Sequence, residues 1–218
     1  LYICCFIFSL ILLQGVIGWY MVKSGLVKDI TVSHYRLSLH LSTAILIIST
    51  IYWLLLNVIS NSSKDFFNLS NKNLPFIILI LLIFTQIIIG AFVSGLDAGK
   101  IYQTWPMMGK NYLPNDLLFN NLSNLLEFES HSLVQFYHRN LAYVIIIYVL
   151  IFTIFIYKQK LIFLYNPLKL LLFFLGSQVV LGIFTLISGL NIFLASAHQI
   201  TSVLLMFSAL NLYYLSTK

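Results

Sequence analysis

Long uncharged apolar runs, separated by short polar segments, make up most of this chain. A helix that crosses a bilayer needs about 20 apolar residues, and the charged positions divide the chain into six runs of about that length. The runs are continuously apolar rather than alternating, which favours helices over membrane-spanning strands. The predicted spans are residues 1–22, 37–59, 74–96, 132–157, 167–189 and 192–215.

The boundary between the last two spans is not marked by charge. No charged residue occurs from Leu170 to Thr217. A single helix of that length would extend over about 72 Å, more than twice the roughly 30 Å of a hydrocarbon core. The chain must therefore fold back, and the stretch Ser188-Gly-Leu-Asn191 has the composition of a turn.

The composition excludes several classes of protein. Of the 218 residues, 60% are hydrophobic and only 8% are charged, against about 25% charged residues in a soluble domain. Soluble enzymes, disordered chains and nucleic-acid-binding domains are excluded, and the lipid bilayer is the expected partner. The formal net charge of +6 fits lysine-rich loops that face anionic lipid. Cys4 and Cys5 lie in an apolar run and are interpreted as small apolar fillers.

The charges in the predicted loops indicate an orientation in the membrane. Each side of the membrane carries six lysines or arginines; if Arg36 and Arg139 are set aside because they lie near histidines, the side with Lys64 is favoured as cytoplasmic. The longest loop, 97–131, then lies on the outer side. Its stretch 115–128 predicts a short helix in the membrane interface, and the loop is either an ordered interfacial segment or a lid over a site within the membrane.

Two of the spans end in related sequences. The stretches 14–26 and 178–190 share six identical residues at 13 positions, and each precedes a span with a histidine near its start, His40 or His198. Close packing of membrane helices explains recurrent glycines, but it does not explain the shared register. We interpret the pattern as an internal duplication.

The duplication predicts the domain organisation. The expected fold is an all-α membrane protein of six transmembrane helices, with one complete four-helix bundle and the last two helices of a pseudo-symmetric second bundle. Two further helices are expected before Leu1. The predicted units are an incomplete N-terminal half-bundle (1–60), a linker (61–73) and a C-terminal four-helix bundle (74–218) that includes the loop 97–131.

Three histidines are expected within the membrane at a similar depth. His40, His138 and His198 each lie a few residues inside a span that starts on the same side, and ionisable groups in a bilayer usually indicate a functional site. Zinc and copper sites usually gather a tighter cluster, often with cysteine or carboxylate. Two histidines on facing helices suit the axial positions of a haem iron. A proton relay is the alternative, but it usually includes carboxylates. We interpret His34 and His131 as interfacial.

The only two arginines lie beside these histidines. Arg36 is four residues before His40, on the same helical face, and Arg139 directly follows His138. The planar guanidinium pairs well with carboxylates such as haem propionates. The alternative is that both arginines anchor helix ends at the interface. The residue four positions after each histidine is small, which would leave a gap for a flat macrocycle; these residues are Ala44, Ala142 and Ser202.

Several segments together resemble the haem A synthase family of the alphaproteobacterial and mitochondrial type. They occur in the family's order and cover most of the chain: Gln14–Leu26, Val32–His40, Gly90–Gly109, Val134–Arg139 and Ala197–Gln199. The family has eight helices in two pseudo-symmetric halves, so the resemblance implies a member without its first quarter.

The resemblance also implies a function. The family oxidises the position-eight methyl group of haem O to a formyl group, which gives haem A for cytochrome oxidase. It implies a haem b cofactor with His138 and His198 as axial ligands, Arg139 beside them, and a substrate haem bound by His40 near Arg36. The family's catalytic glutamate and second substrate histidine have no counterpart here, so no catalytic residue is identified.

The resemblance implies an integral protein of the bacterial or mitochondrial inner membrane with its histidine ends outward, and haem O synthase as a candidate partner. Two alternatives stay open. The chain could be a membrane electron-transfer cytochrome that uses the C-terminal haem b, or an inactive fragment of the synthase that still folds around that haem.

Overall fold

The computed structural model describes residues 2–25, 32–66, 70–116 and 125–217, and that part of the chain is helical with connecting loops. Each of its six long helices is apolar enough to cross a membrane. This confirms the predicted all-α fold with six spans, whose ends lie within a few residues of those predicted. The helices are α1 (Tyr2–Gly25), α2 (His34–Ile59), α3 (Leu74–Gly95), α4 (His131–Lys158), α5 (Tyr165–Ile187) and α6 (Ile192–Ser216).

Local sequence explains several helix ends. Pro75 lies in the first turn of α3. Backbone N–H groups in the first turn have no partner within the helix, so the lack of an N–H in proline costs no hydrogen bond there. The side chain of Asn191 caps α6 by accepting hydrogen bonds from the backbone N–H groups of Phe193 and Leu194. The predicted turn before α6 is confirmed, with Gly189 and Leu190 in the left-handed region at φ 72° and 65°.

The helices α2, α3 and α6 pack against one another around one apolar core. Trp53 of α2, Leu79 of α3 and Leu210 of α6 are buried in it. The first predicted unit therefore shares its core with the second, while the proposed boundary at 61–73 stays a prediction.

The remaining packing places α4 and α6 diagonally across the C-terminal bundle. Helix α3 packs against α4 and α6, and α5 also packs against α4 and α6. In a bundle with that order of neighbours, the side chains of α4 and α6 approach the central axis from opposite sides. Helix α1 packs against α2, and its other faces expose apolar side chains such as Phe8 and Trp19, as expected for a surface solvated by lipid.

At the end of the molecule opposite the histidines, hydrogen bonds join the segment after α2 to the end of α6. The Lys64 ammonium donates to the backbone oxygens of Tyr214, at 2.9 Å, and Thr217. The Trp53 indole N–H donates to the Lys64 carbonyl oxygen at 3.0 Å. The segment after α2 is thereby fixed to the end of α6.

Candidate functional site

Three histidines lie at a similar distance from the same end of the molecule. His40 is six residues after the start of α2, His138 is seven after the start of α4, and His198 is six after the start of α6. At about 1.5 Å per residue, all three lie about 9–11 Å along their helices. The structure therefore gives them the common depth that the sequence predicted.

Each of these histidines is held by a glutamine from the preceding helix. In every case the glutamine amide nitrogen donates to the backbone carbonyl oxygen of the histidine, which links α1 to α2, α3 to α4 and α5 to α6. The pairs, with their nitrogen-to-oxygen distances, are Gln14–His40 at 3.0 Å, Gln86–His138 at 3.0 Å and Gln178–His198 at 2.7 Å.

A glycine four residues after each glutamine makes room for the imidazole. A Cβ atom added at this glycine would lie 3.1 Å from the Cε1 atom of the histidine ring, which is closer than about nine in ten observed Cβ contacts, so the ring would have to shift. A small residue is therefore needed for the ring to lie against the neighbouring helix. The glycine–histidine pairs are Gly18–His40, Gly90–His138 and Gly182–His198.

Sequence reasoning missed the role of these glutamines and glycines. The spacing in the first and fifth spans predicts a duplication, and close helix packing accounts for its glycines. The third copy, Gln86-Ile-Ile-Ile-Gly90, forms no part of that prediction. The signal that could have found it was the same four-residue spacing in every odd-numbered span, each followed by a span with a histidine.

The placement of His138 and His198 is compatible with two ligands to one haem iron. The two residues lie on diagonal helices of one bundle, and imidazoles approaching from opposite sides suit two axial positions. The Nδ1 atom of His198 is buried without a hydrogen-bond partner in the described part of the chain, and so has unused bonding capacity. These donors fit a haem. Among the described residues there is no cluster of three or more His, Cys, Asp or Glu side chains that could hold a bare metal ion.

His40 and Arg36 lie together on the outer part of α2. The Nδ1 atom of His40 is also buried without a partner in the described region. The Arg36 guanidinium carbon lies 5.2 Å from the centre of the Tyr20 ring of α1, a cation–π distance. The proposed substrate role of these two residues stays a prediction.

Arg139 faces the long loop that follows α3. Its guanidinium donates to the backbone oxygens of Tyr102 and Thr104, both at 2.9 Å, and of Met107 at 3.3 Å. The Gln135 amide also donates to the Tyr102 oxygen, at 2.9 Å. The observed contacts of Arg139 are therefore with the loop, and its predicted contact with a haem carboxylate stays a prediction for its other N–H groups.

The loop is fixed further by a carboxylate outside the membrane spans. The Tyr102 hydroxyl donates to Asp116 Oδ1 at 2.8 Å, and the Ser132 hydroxyl donates to Oδ2. Burial raises the Asp116 pKa, but these two hydrogen bonds, together with a backbone hydrogen bond, outweigh burial and leave the pKa below its ordinary value. Burial first, and then the Asp116 contact, raise the pKa of Tyr102. At neutral pH the carboxylate therefore accepts both bonds.

The same loop extends to the turn between α5 and α6. Ala98 and Gly99 are buried, and a Cβ atom at Gly99 would lie 2.8 Å from the Leu190 side chain. The loop thus bridges α4 and the α5–α6 turn at the end nearest the histidines. The predicted interfacial helix over 115–128 falls largely on residues 117–124, which lie outside the described residues.

Comparison with known proteins identifies the family. A family model described as COX15-CtaA, cytochrome oxidase assembly protein, matches residues 2–210. The chain belongs to this family. The match covers all six helices except the last turns of α6, so the family assignment applies to the whole described fold.

Relatives in the COX15-CtaA family carry a more specific name. The heme A synthase of Pelagibacter ubique is 42% identical over 205 residues, which are 93% of this chain and 59% of that protein. The heme A synthase of Wolbachia pipientis wMel is 40% identical over 199 residues, covering 91% and 55%. That of Rickettsia felis is 35% identical over 201 residues, covering 88% and 58%. The chain therefore spans 55% to 59% of the length of these relatives.

The two remaining described histidines of this family member lie at helix starts, as predicted, but in different surroundings. His131 is exposed at the start of α4. His34 is only 6% exposed, because α2 approaches Gly95 of α3 so closely that a Cβ atom there would lie 2.7 Å from the His34 Cβ. Its Nε2 atom lies 3.9 Å from the Glu129 carboxylate. An interfacial position at a helix start thus does not imply exposure.

Replacing Arg139 with glutamine is expected to loosen the loop. Charge-assisted hydrogen bonds contribute about 1.5–3 kcal/mol each, and partial solvent exposure reduces that value, so we expect trypsin cleavage after the exposed Lys110 to accelerate about tenfold. The measurement is the rate of appearance of the Lys110 fragment, by mass spectrometry, from vesicles with the loop outward. Arg36→Gln is the matched control because Arg36 packs on α1. Equal rates in the two variants would show that Arg139 does not hold the loop.

Proposed function

We propose that this chain forms the larger part of a haem A synthase, which oxidises the position-eight methyl group of haem O to a formyl group. Membership of the COX15-CtaA family and the name of the relatives support this proposal. The observation that carries it is the placement of His138 and His198 on diagonal helices, at matched depth and with matched glutamine and glycine contacts.

The cofactor in this proposal is a haem b held by His138 and His198. When bound, haem b supplies a one-electron redox centre. The chain's own residues would supply two imidazole nitrogens for the iron, a glycine surface at each ring edge, and space one turn further along the helices at Ala142 and Ser202. The loop held by Arg139 lies over this end of the bundle and would limit access of water.

The substrate in this proposal is haem O, bound in the half of the protein that contains α1 and α2. His40 would ligate its iron from one side, and Arg36 would pair with a propionate at the outer end. The conversion adds an oxygen atom, which water can supply, and removes electrons and protons from the methyl group, so an electron acceptor is required. Haem O synthase is a candidate supplier of the substrate. We place the protein in the inner membrane with its histidine ends outward.

One observation favours a second function, that of a membrane cytochrome that only transfers electrons. Both histidines predicted for the haem b iron lie within this chain, whereas only His40 is predicted for the substrate haem. A chain with both haem b ligands but one substrate ligand could bind haem b and exchange electrons without oxidising haem O.

The test is to express the chain in membranes, alone and with its upstream coding region, and to measure haem b and haem A. Reduced-minus-oxidised spectra of the chain alone are expected to show a haem b band. The longer chain, supplied with haem O, is expected to produce haem A, detected by chromatography of extracted haems. A longer chain that binds haem b and makes no haem A would support the cytochrome instead. A chain without a haem b band would overturn the cofactor assignment.

A further inference from the structure

The glutamine–histidine contacts recur at the same depth in all three consecutive helix pairs. We propose that Gln86 and Gln178 are positioning residues that orient the imidazoles of His138 and His198, and that Gln14 does the same for His40. This inference deepens the proposed function, because it rests on His138 and His198 as ligands of the haem b iron. The glutamines do not touch the iron in this proposal; they act through the histidines.

In the α3–α4 pair, one glutamine amide contacts both the backbone and the ring of the histidine. Gln86 Nε2 lies 3.0 Å from the His138 carbonyl oxygen, 3.2 Å from its Nδ1 atom and 3.4 Å from its Nε2 atom. An amide nitrogen carries two hydrogens. In the chain without haem, one can bond to the backbone and the other to the unprotonated ring nitrogen, so this contact holds both the main chain and the imidazole.

The other two pairs share the backbone part of this arrangement. Gln14 Nε2 lies 3.0 Å from the His40 carbonyl oxygen and 3.3 Å from its ring Nε2 atom. Gln178 donates to the His198 carbonyl oxygen at 2.7 Å. A mid-helix carbonyl normally accepts from the N–H four residues later, so a second donor from a neighbouring helix is a specific cross-link between the two helices.

The glycine surfaces give all three rings the same orientation. From the Cβ position of each glycine, the nearest ring atom is Cε1, then Nδ1 at 3.6–3.7 Å, then Nε2 at 3.7–4.0 Å. Each ring therefore presents its Cε1 edge, which lies between the two nitrogens, to the helix that carries the glutamine. In the proposal one ring nitrogen ligates iron and the other stays available to the glutamine amide.

Two of the glutamines also retain an unused acceptor next to the ring. The Oε1 atoms of Gln14 and Gln86 are buried without a hydrogen-bond partner in the described part of the chain. A ligating histidine usually donates its other ring N–H to an oxygen, which fixes the ring plane and its tautomer. With one ring nitrogen of His138 on iron, the other carries a hydrogen, which the amide oxygen of Gln86 would accept.

The test compares Gln86→Leu with Gln135→Leu. Both glutamines are at least partly buried and their amides donate to a backbone oxygen, but Gln135 contacts Tyr102 of the loop rather than a histidine. In chain purified without haem and labelled with ¹⁵N in the histidine rings, Gln86→Leu is expected to shift the His138 ring signals. Gln135→Leu is expected to leave them in place. Gln86→Asn, which keeps the amide but is one methylene shorter, is expected to behave like Gln86→Leu.

The haem-loaded chain gives a second readout. Loss of such a partner typically lowers metal affinity by about tenfold to a hundredfold, so we expect weaker haem binding and a broadened low-spin ferric EPR signal in Gln86→Leu and Gln178→Leu, but not in Gln135→Leu. Unchanged ring signals in Gln86→Leu, or equal changes in Gln135→Leu, would overturn the positioning role. Absence of haem from the wild-type chain would instead overturn the proposed function, and the ring signals would still decide the positioning role.

Discussion

Alanine in place of His138 or His198 is expected to remove the haem b band from reduced-minus-oxidised spectra of the membranes. The two residues lie on diagonal helices, and in the proposed site the removal of either imidazole would take one of two nitrogen ligands from the iron. We expect haem content to fall at least about tenfold in each variant, since outer-shell changes alone typically cost that much affinity. The measurement is haem per chain, from the pyridine haemochrome and quantitative immunoblotting.

Two other histidines provide the controls for this experiment. His131 is exposed on the first turn of α4, the helix that carries His138, so His131→Ala is expected to retain haem b. His40→Ala is expected to retain haem b as well, because His40 belongs to the predicted substrate half. Circular dichroism would establish that all four variants are equally helical. Retention of the full band by either His138→Ala or His198→Ala would contradict the assignment of that residue as a ligand.

The six spans could be predicted because charge and turn residues mark their ends. Lysines or arginines flank most of the apolar runs, and the Ser188–Asn191 stretch supplies a glycine and an N-capping asparagine where charge is missing. The depth of the histidines followed directly, since the helical rise per residue is constant. These features are local in sequence, so they could be predicted without knowing which helices are neighbours.

Contacts between helices were not predictable in the same way. The bond from Gln86 to His138 joins residues 52 positions apart, and nothing in a single span shows which neighbour its polar side chain will meet. The shared core of α2, α3 and α6 depends on the same unknown order of neighbours. The repeated four-residue spacing was visible, but its meaning required the packing.

The direction that Arg139 takes could not be predicted from its place beside His138. Its contact with a haem carboxylate stays a prediction. Consecutive residues on a helix are about 100° apart around the axis, so Arg139 faces a different direction and meets the carbonyls of Tyr102, Thr104 and Met107. Arg36, four residues from His40, does share a helical face with it. The expectation that an arginine and its neighbouring histidine contact the same haem therefore has support from helical geometry for Arg36, but not for Arg139.

Valine in place of Gly182 is expected to displace the His198 imidazole and to lower haem b content about tenfold. A Cβ atom at this position would already lie 3.1 Å from the ring, and the two γ-methyl groups of valine need further space. Overpacking of this kind costs about 1–3 kcal/mol, and about 1.4 kcal/mol corresponds to a factor of ten in binding. The measurement is haem per chain and the position of the reduced band.

Gly176→Val is the matched control on the same helix. Among the described residues, no atom outside the Gly176 backbone surroundings lies within 4 Å of its Cβ position. Its valine would therefore face lipid, and the intrinsic cost of valine in a helix is common to both variants.

A second pair tests the other half. Gly18→Val would press on His40, whereas the Cβ position of Gly15 meets no neighbouring helix in the described part of the chain. Gly18→Val is expected to spare haem b, because His138 and His198 would be untouched. Equal loss of haem in Gly176→Val and Gly182→Val would show that helix stability, and not the imidazole contact, controls haem binding. Loss in Gly182→Val alone would show that haem binding depends on the contact between Gly182 and His198.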